Sequence, residues 1–157
     1  MDNLLTSPLL SNWVAYVEKL NANPYAMLLG KLKTSKLTAT DDKLVDMIMR
    51  AKKDASTSVI AGKLEAAQLE KWLSEKQTAA DVFSLLKFEG EGAYLLWRPS
   101  VRAWVAYVTK LDPHKSDDII LSVLKPYYSD EKLAQMLSFG QNHNDEIAAK
   151  WTKAVAG

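Results

Sequence analysis

Apolar residues along this chain recur at spacings of three and four, which is the period of a helix with one buried face. Trp13, Tyr16, Val17 and Leu20 show this spacing in the first part of the chain. No stretch alternates between apolar and polar residues for long enough to form a sheet. The pattern therefore predicts an all-α fold.

Capping residues divide the chain into short helices. Proline follows a capping residue at Ser7-Pro8 and at Asn23-Pro24, where it suits the first helical position. Ser56 is placed to cap a long helix that runs to about Ser74, and Thr78 and Asp81 have the spacing of a capping box. These signals predict helices over about 8–20, 24–33, 41–53, 57–74, 79–87, 99–111, 116–125, 130–140 and from 145 onward, with a short segment at about 93–97.

The chain also contains an internal repeat. The segment WVAYVEKL, which begins at Trp13, returns as WVAYVTKL at Trp104, 91 residues later and with seven of eight positions identical. Shorter matches continue beyond it, and the offset changes only between predicted helices, where loops tolerate deletions. A repeat of this length predicts two similar helical bundles in series, over residues 1–75 and 76–157.

Composition excludes several classes of function. The hydrophobic fraction of 48% and the charged fraction of 25% are those of an ordinary globular protein. Twenty basic and 19 acidic residues give a net charge of +1, which provides no basic surface for nucleic acid or an anionic membrane. The absence of cysteine excludes disulfides and thiolate chemistry. The first residues, MDNLLTSPLL, lack the basic and apolar regions of a signal peptide.

No residue pattern predicts a catalytic, cofactor or metal site. His114 and His143 have neither a cysteine nor a second histidine at ligand spacing. The acidic pairs follow Ser or Thr at predicted helix starts, where carboxylates complement the helix dipole. No phosphate-binding loop or nucleophile elbow occurs. We therefore expect a protein that is not an enzyme and binds no cofactor.

The repeated aromatic residues are predicted to be structural. Because they recur on the same apolar helix face in both copies, the core residues are expected to be Trp13, Tyr16, Trp104 and Tyr107.

At three positions the second copy has a large aromatic or basic residue where the first copy has a small polar one. Trp97, Arg98 and Arg102 stand where the first copy has Thr, Ser and Ser. Residues that differ between copies are free of the common fold, and Trp and Arg are frequent interface hot spots. Trp97, Arg98 and Arg102 are therefore the candidate partner-binding residues.

The repeated segments resemble the tandem WY and LWY modules of RxLR effectors from oomycete plant pathogens of the Phytophthora type. The W motif is LLTSPLLSNWVAYVEKL and then LLWRPSVRAWVAYVTKL. DDKLVDMIM with VIAGKLEAAQLEKWL, and SDEKLAQML with EIAAKW, resemble the Y motif. EKWLSEKQTAADVFSLLKFEG resembles the L motif, which the first unit lacks. Leu64 or Ala67 stands where the tyrosine of the first Y motif is expected.

This resemblance implies a WY-type unit over residues 1–75 and an LWY-type unit over 76–157, stacked end to end through the L-motif helix. Val82, Phe83, Leu85 and Leu86 are expected at the joint between the units, because an apolar helix face needs a surface to cover.

The resemblance also implies a secreted virulence effector, delivered into the plant cell, that binds a host protein as a monomeric, non-catalytic scaffold. Some tandem effectors of this family recruit the scaffold subunit of a host type 2A protein phosphatase. Since the chain has no signal peptide and no RxLR leader, we expect it to be an excised or processed part of a longer effector. Two alternatives stay open, a passive spacer of a longer effector and an enzyme with a cryptic site between its units.

Overall fold

The computed structural model describes residues 2–140 and 145–156, and all regular secondary structure within them is helical. The predicted all-α fold is confirmed. Along the described chain lie α1 Asp2–Leu5, α2 Pro8–Lys19, α3 Pro24–Lys33, α4 Asp41–Ala51, α5 Ser58–Ser74, α6 Ala79–Leu85, a 3-10 segment Gly92–Trp97, α7 Ser100–Leu111, α8 Ser116–Leu124, α9 Asp130–Gly140 and α10 Asp145–Ala156.

The chain divides into two compact units, Met1–Glu75 and Lys76–Gly157. In the first unit, α5 packs against α3 and α4 around buried leucines such as Leu32, Leu44 and Leu64. In the second unit, α6 packs against α7 and α8, and α10 packs against α8 and α9. Each unit therefore has an apolar core of its own, as a small helical bundle requires.

Side-chain caps hold the starts of α3 and α6. The Asn23 side chain accepts hydrogen bonds from the backbone N–H groups of Tyr25 and Ala26. Thr78 and Asp81 form the predicted capping box, since each side chain accepts from the backbone N–H of the other residue. At α5 the prediction that Ser56 caps the helix is wrong, because Ser56 donates to Asp54 and the helix starts after Thr57.

In the second unit, α6 covers the repeated aromatic residues of α7. Trp104 donates from Nε1 to the carbonyl of Ala79 at 2.9 Å, and Tyr107 donates from its hydroxyl to the carbonyl of Gln77 at 2.6 Å. The Phe83 ring lies 5.3 Å from Trp104 between centroids. Trp104 and Tyr107 are fully buried, so both are core residues of this unit.

The apolar side chains of α6 lie within the second unit's core. Val82, Phe83 and Leu86 are fully buried, and Phe83 contacts the rings of Phe88 and Tyr127 as well as Trp104. Leu85 is the partly exposed member of the set predicted at the joint. The surface that these side chains cover is thus supplied by α7 and α8 of their own unit.

In the first unit the matching residues lie in a different environment. Trp13 is only partly buried, and Tyr16 is 62% exposed although the repeat predicts it in the core. The core position of Tyr16 is therefore corrected. The physical reason is that no described helix of the first unit covers α2 as α6 covers α7, so the same motif leaves its aromatic face open to solvent.

The end of each repeat also differs. The pair Ile60-Ala61 in α5 aligns with Ile147-Ala148 in α10, 87 residues later. At the same offset, Trp151 of α10 corresponds to Leu64 of α5. Its ring lies edge-on to Trp104, 6.3 Å away between centroids. Both Leu64 and Trp151 are buried. A larger side chain at this place thus completes the aromatic core of the second unit.

Candidate protein-binding surface

The 3-10 segment Gly92–Trp97 presents two aromatic side chains to solvent. A 3-10 helix has three residues per turn, so Tyr94 and Trp97 lie on the same side. Tyr94 is 61% exposed and Trp97 is 45% exposed. Their rings meet edge to face, with centroids 5.3 Å apart and an interplanar angle of 81°. On the opposite side, Leu95 and Leu96 are fully buried and fix the segment to the core.

Hydrogen bonds from Tyr128 hold the start of this segment. The Tyr128 hydroxyl donates to the carbonyl of Phe88 at 3.0 Å and accepts from the N–H of Gly92 at 3.3 Å. Burial raises the pKa of this hydroxyl, so it remains a donor at neutral pH. Gly92 has a φ of +57°, a left-handed conformation that glycine adopts without strain. The aromatic pair is therefore carried on a well-anchored backbone.

The two candidate arginines have different environments. Arg98 pairs with Glu91, and its guanidinium carbon lies 5.8 Å from the centroid of the Phe88 ring. Arg98 is accordingly engaged in holding the segment against the unit. Arg102 lies one turn further along, on the exposed side of α7. Of the three predicted residues, Trp97 and Arg102 are thus the more accessible.

Sequence reasoning missed Tyr94. The first copy has asparagine at the matching place, so Tyr94 is as specific to the second unit as Trp97. The signal was the three-residue spacing between the two aromatics, which places them on the same side of a 3-10 helix or an α-helix. We define the aromatic surface as Tyr94, Trp97 and Arg102.

The first unit contains a cleft of about 700 Å³, which is large enough to be considered as a candidate enzymatic site. Its charged lining residues include Lys43, Asp46, Arg50 and Asp54. Hydrogen bonds from the side chain and then the backbone of Ser56 lower the pKa of Asp54. That carboxylate is therefore ionised at neutral pH and is unsuited to act as a general acid. Lys43, Asp46 and Arg50 follow one another on α4 at spacings of three and four, where side chains of opposite charge stabilise a helix.

Two further searches concern the described residues alone. Within residues 2–140 and 145–156, no cluster of three or more His, Cys, Asp or Glu side chains is placed to hold a metal ion. In the same part of the chain, no helix has both the length and the apolar character that crossing a membrane requires.

Comparisons with known proteins give one consistent result. No protein-family model matches the chain. It is 31% identical over 139 residues to the RxLR effector protein PSR2 of Phytophthora sojae, covering 87% of this chain and 21% of that protein. It is 32% identical over 154 residues to the RxLR effector protein PexRD25 of Phytophthora infestans, covering 94% of this chain and 50% of that protein.

A solved structure is similar over nearly the whole chain. The crystal structure of PcRxLR12 matches with a TM-score of 0.78 and 26% sequence identity, covering 99% of this chain and 37% of that one. The chain thus spans half or less of the length of each of these proteins. These likenesses confirm the resemblance that the repeated motifs predict.

Proposed function

We propose that this relative of the Phytophthora RxLR effectors is part of a secreted virulence effector, which enters the plant cell and binds a host protein without catalysing a reaction. The aromatic surface of the second unit is the proposed contact. The observation that carries the proposal is the pair of exposed rings of Tyr94 and Trp97, which are specific to this copy of the repeat.

The side chains at this surface suit a protein partner. Tryptophan, tyrosine and arginine are the residues most often found as interface hot spots. Aromatic rings bury a large area and lose little conformational entropy when they are already held in place. The buried leucines behind the segment and the hydrogen bonds of Tyr128 hold its backbone in place before binding. The near-neutral charge of the chain argues against a nucleic-acid partner.

For the partner we propose the scaffold subunit of a host type 2A protein phosphatase, which the family resemblance suggests. The test is biolayer interferometry with the purified scaffold subunit and the full chain. Trp97→Ala should weaken binding by about 30-fold or more, which corresponds to a hot spot of about 2 kcal/mol. Arg102→Ala should weaken it by a smaller factor, because an exposed charge contributes less.

Leu37→Ala is the matched control. Leu37 is 68% exposed and belongs to the first unit, whereas the aromatic surface belongs to the second, so this variant should bind like the wild type. Circular dichroism should give the same melting curve for all variants. If Trp97→Ala binds the scaffold subunit as tightly as Leu37→Ala does, the proposed contact is wrong. If the wild type does not bind it at all, the proposed partner is wrong.

The other two functions make different predictions. A passive spacer has no partner of its own, so no plant protein should depend on Trp97 for capture. An enzyme would alter its partner, and mass spectrometry of the scaffold subunit after incubation with the chain would then show a changed mass. We expect an unchanged mass.

A further inference from the structure

One buried tyrosine closes the turn that leads into the aromatic surface. The backbone N–H of Glu91 donates to the carbonyl of Phe88 at 3.2 Å, which forms a turn over residues 88–91. The Tyr128 hydroxyl donates to the same carbonyl at 3.0 Å and accepts from the N–H of Gly92 at 3.3 Å. This single side chain therefore joins the residue at which the turn begins to the residue at which the 3-10 segment begins.

The two ends of this turn differ in how firmly the core holds them. Phe88 is fully buried, and its ring lies edge-on to Phe83 and to Trp104, with centroids 5.6 Å and 6.1 Å apart. At the other end, Gly90 and Gly92 have no side chain to pack, and glycine loses more conformational freedom than other residues when it is ordered. The Tyr128 hydroxyl thus ties a glycine-containing turn to a residue that the core fixes.

Tyr128 belongs to the second copy of the repeat alone, as the aromatic surface does. The segment SDEKL after Tyr128 aligns with TDDKL 89 residues earlier, and at this offset Tyr128 corresponds to Ala39. Tyr94 and Trp97 likewise stand where the first copy has polar residues. Because the helical bundle is common to both copies, the bundle itself does not require a tyrosine at this place.

We propose that Tyr128 is a positioning residue for partner binding, whose hydroxyl keeps the 3-10 segment in the conformation that presents Tyr94 and Trp97. This inference rests on the proposed function, since it concerns the same aromatic surface. Tyr128 is only 6% exposed, so it acts through the segment and not by touching the partner. When only a fraction of the molecules has the binding conformation, the apparent affinity falls by that fraction. The hydroxyl therefore controls how readily the partner is captured.

The segment depends on such a tie because it is short. The hydrogen bonds of a 3-10 helix have poorer geometry than those of an α-helix. Short segments of this kind open locally at a small free-energy cost, well before the whole unit unfolds. Loss of the Tyr128 hydroxyl removes two hydrogen bonds at the start of the segment and favours the open form.

The test compares two variants that each lose the hydroxyl of a buried tyrosine. Tyr128→Phe removes the tie and keeps the buried ring. Tyr107→Phe is the matched control, because Tyr107 is buried in the same unit and its hydroxyl also donates to a backbone carbonyl, that of Gln77, at 2.6 Å. Circular dichroism checks that both variants are folded.

The first readout is hydrogen exchange of the free chain followed by NMR, which needs no partner. The amides of residues 94–98 should exchange about tenfold faster in Tyr128→Phe and at the wild-type rate in Tyr107→Phe. The amide of Gly92 is left out of the comparison because the substitution removes its acceptor directly. Equal exchange of residues 94–98 in the wild type and in Tyr128→Phe would overturn the proposal.

The second readout is the kinetics of binding to the phosphatase scaffold subunit, measured with the full chain by biolayer interferometry. Tyr128→Phe should lower the association rate constant about threefold to tenfold and leave the dissociation rate constant unchanged. Trp97→Ala removes a contact, so it should instead raise the dissociation rate constant. Tyr107→Phe should behave like the wild type.

The outcomes separate this proposal from the proposed function. An association rate constant for Tyr128→Phe equal to that for Tyr107→Phe, or a change in dissociation alone, would overturn the positioning role. If the wild type does not bind the scaffold subunit, or Trp97→Ala leaves both rate constants unchanged, the proposed function fails. In that case the exchange of residues 94–98 still decides whether Tyr128 holds the segment.

Discussion

Replacing Trp104 with alanine should destabilise the second unit far more than the same change at Trp13 destabilises the first. The two tryptophans stand in nearly identical eight-residue segments, so sequence alone predicts equal effects. The structure separates them. Trp104 is fully buried, and its Nε1 donates to the Ala79 carbonyl at 2.9 Å, whereas Trp13 is partly buried.

The expected size follows from this difference in burial. Truncating a fully buried tryptophan costs about 3–5 kcal/mol, which includes the cavity that it leaves among Phe83, Phe88 and Trp151. It also leaves the Ala79 carbonyl without its donor. Truncating the partly buried Trp13 should cost about 1–2 kcal/mol, because less apolar area is removed from the core.

Hydrogen exchange with mass spectrometry is the suitable assay, since it measures the free energy of opening separately for peptides of each unit. Trp104→Ala should reduce protection in α7 and α8 and leave α3 to α5 unchanged. Trp13→Ala should give a smaller loss confined to the first unit. Equal losses in the two variants, or a loss below about 1 kcal/mol for Trp104→Ala, would refute the account of how α6 covers α7.

Three further predictions concern the same unit. Tyr107→Phe should lower the free energy of unfolding by about 1 kcal/mol because it removes the hydrogen bond to Gln77, whereas Tyr16→Phe should change it by less than about 0.5 kcal/mol in urea denaturation. Gly92→Ala should destabilise the second unit by about 1 kcal/mol, because Gly92 has a φ of +57°. Gly90→Ala should leave the stability unchanged, and a melting curve of each variant checks both expectations. Hydrogen bonds from the backbone and then the side chain of Thr78 lower the pKa of Asp81 below its ordinary 3.8. The Asp81 carboxylate therefore stabilises the fold fully above pH 3.8, and this stabilisation is lost as the pH falls through the lower pKa of the folded state. When the melting temperature is measured against pH, Asp81→Asn should show a weaker dependence below about pH 4 than the wild type.

Much of the fold follows from local signals in the sequence. Asn23 and the Thr78–Asp81 capping box start helices where the pattern predicts them, because both use hydrogen bonds within a few residues. The start of α5 was misplaced for a similar reason, since Ser56 has an equally local partner in Asp54. Local hydrogen bonds thus explain both the correct and the incorrect helix start.

The environment of the repeated aromatics could not be predicted in this way. Tyr16 and Tyr107 have the same neighbours in sequence, but their exposure depends on whether a separate helix lies over them. That information is carried by α6, which the repeat does not contain. A motif therefore predicts which face is apolar, and only the tertiary structure shows whether that face is covered.

The aromatic surface was predicted in part. Trp97 and Arg102 could be found because they differ from the matching residues of the first copy. The role of Arg98 could not, because its pairing with Glu91 and Phe88 depends on the path of the chain between α6 and α7. Tyr94 was missed because spacing alone does not show which side of a short helical segment faces solvent, and here the burial of Leu95 and Leu96 decides it.

The most direct test of the proposed function is capture from plant cells with the wild-type chain, Trp97→Ala and Leu37→Ala as matched baits, quantified by mass spectrometry. The account predicts at least one host protein whose recovery falls by about tenfold or more with Trp97→Ala and stays constant with Leu37→Ala, as loss of a hot spot requires. Recovery of every captured protein at the same level with all three baits would contradict it.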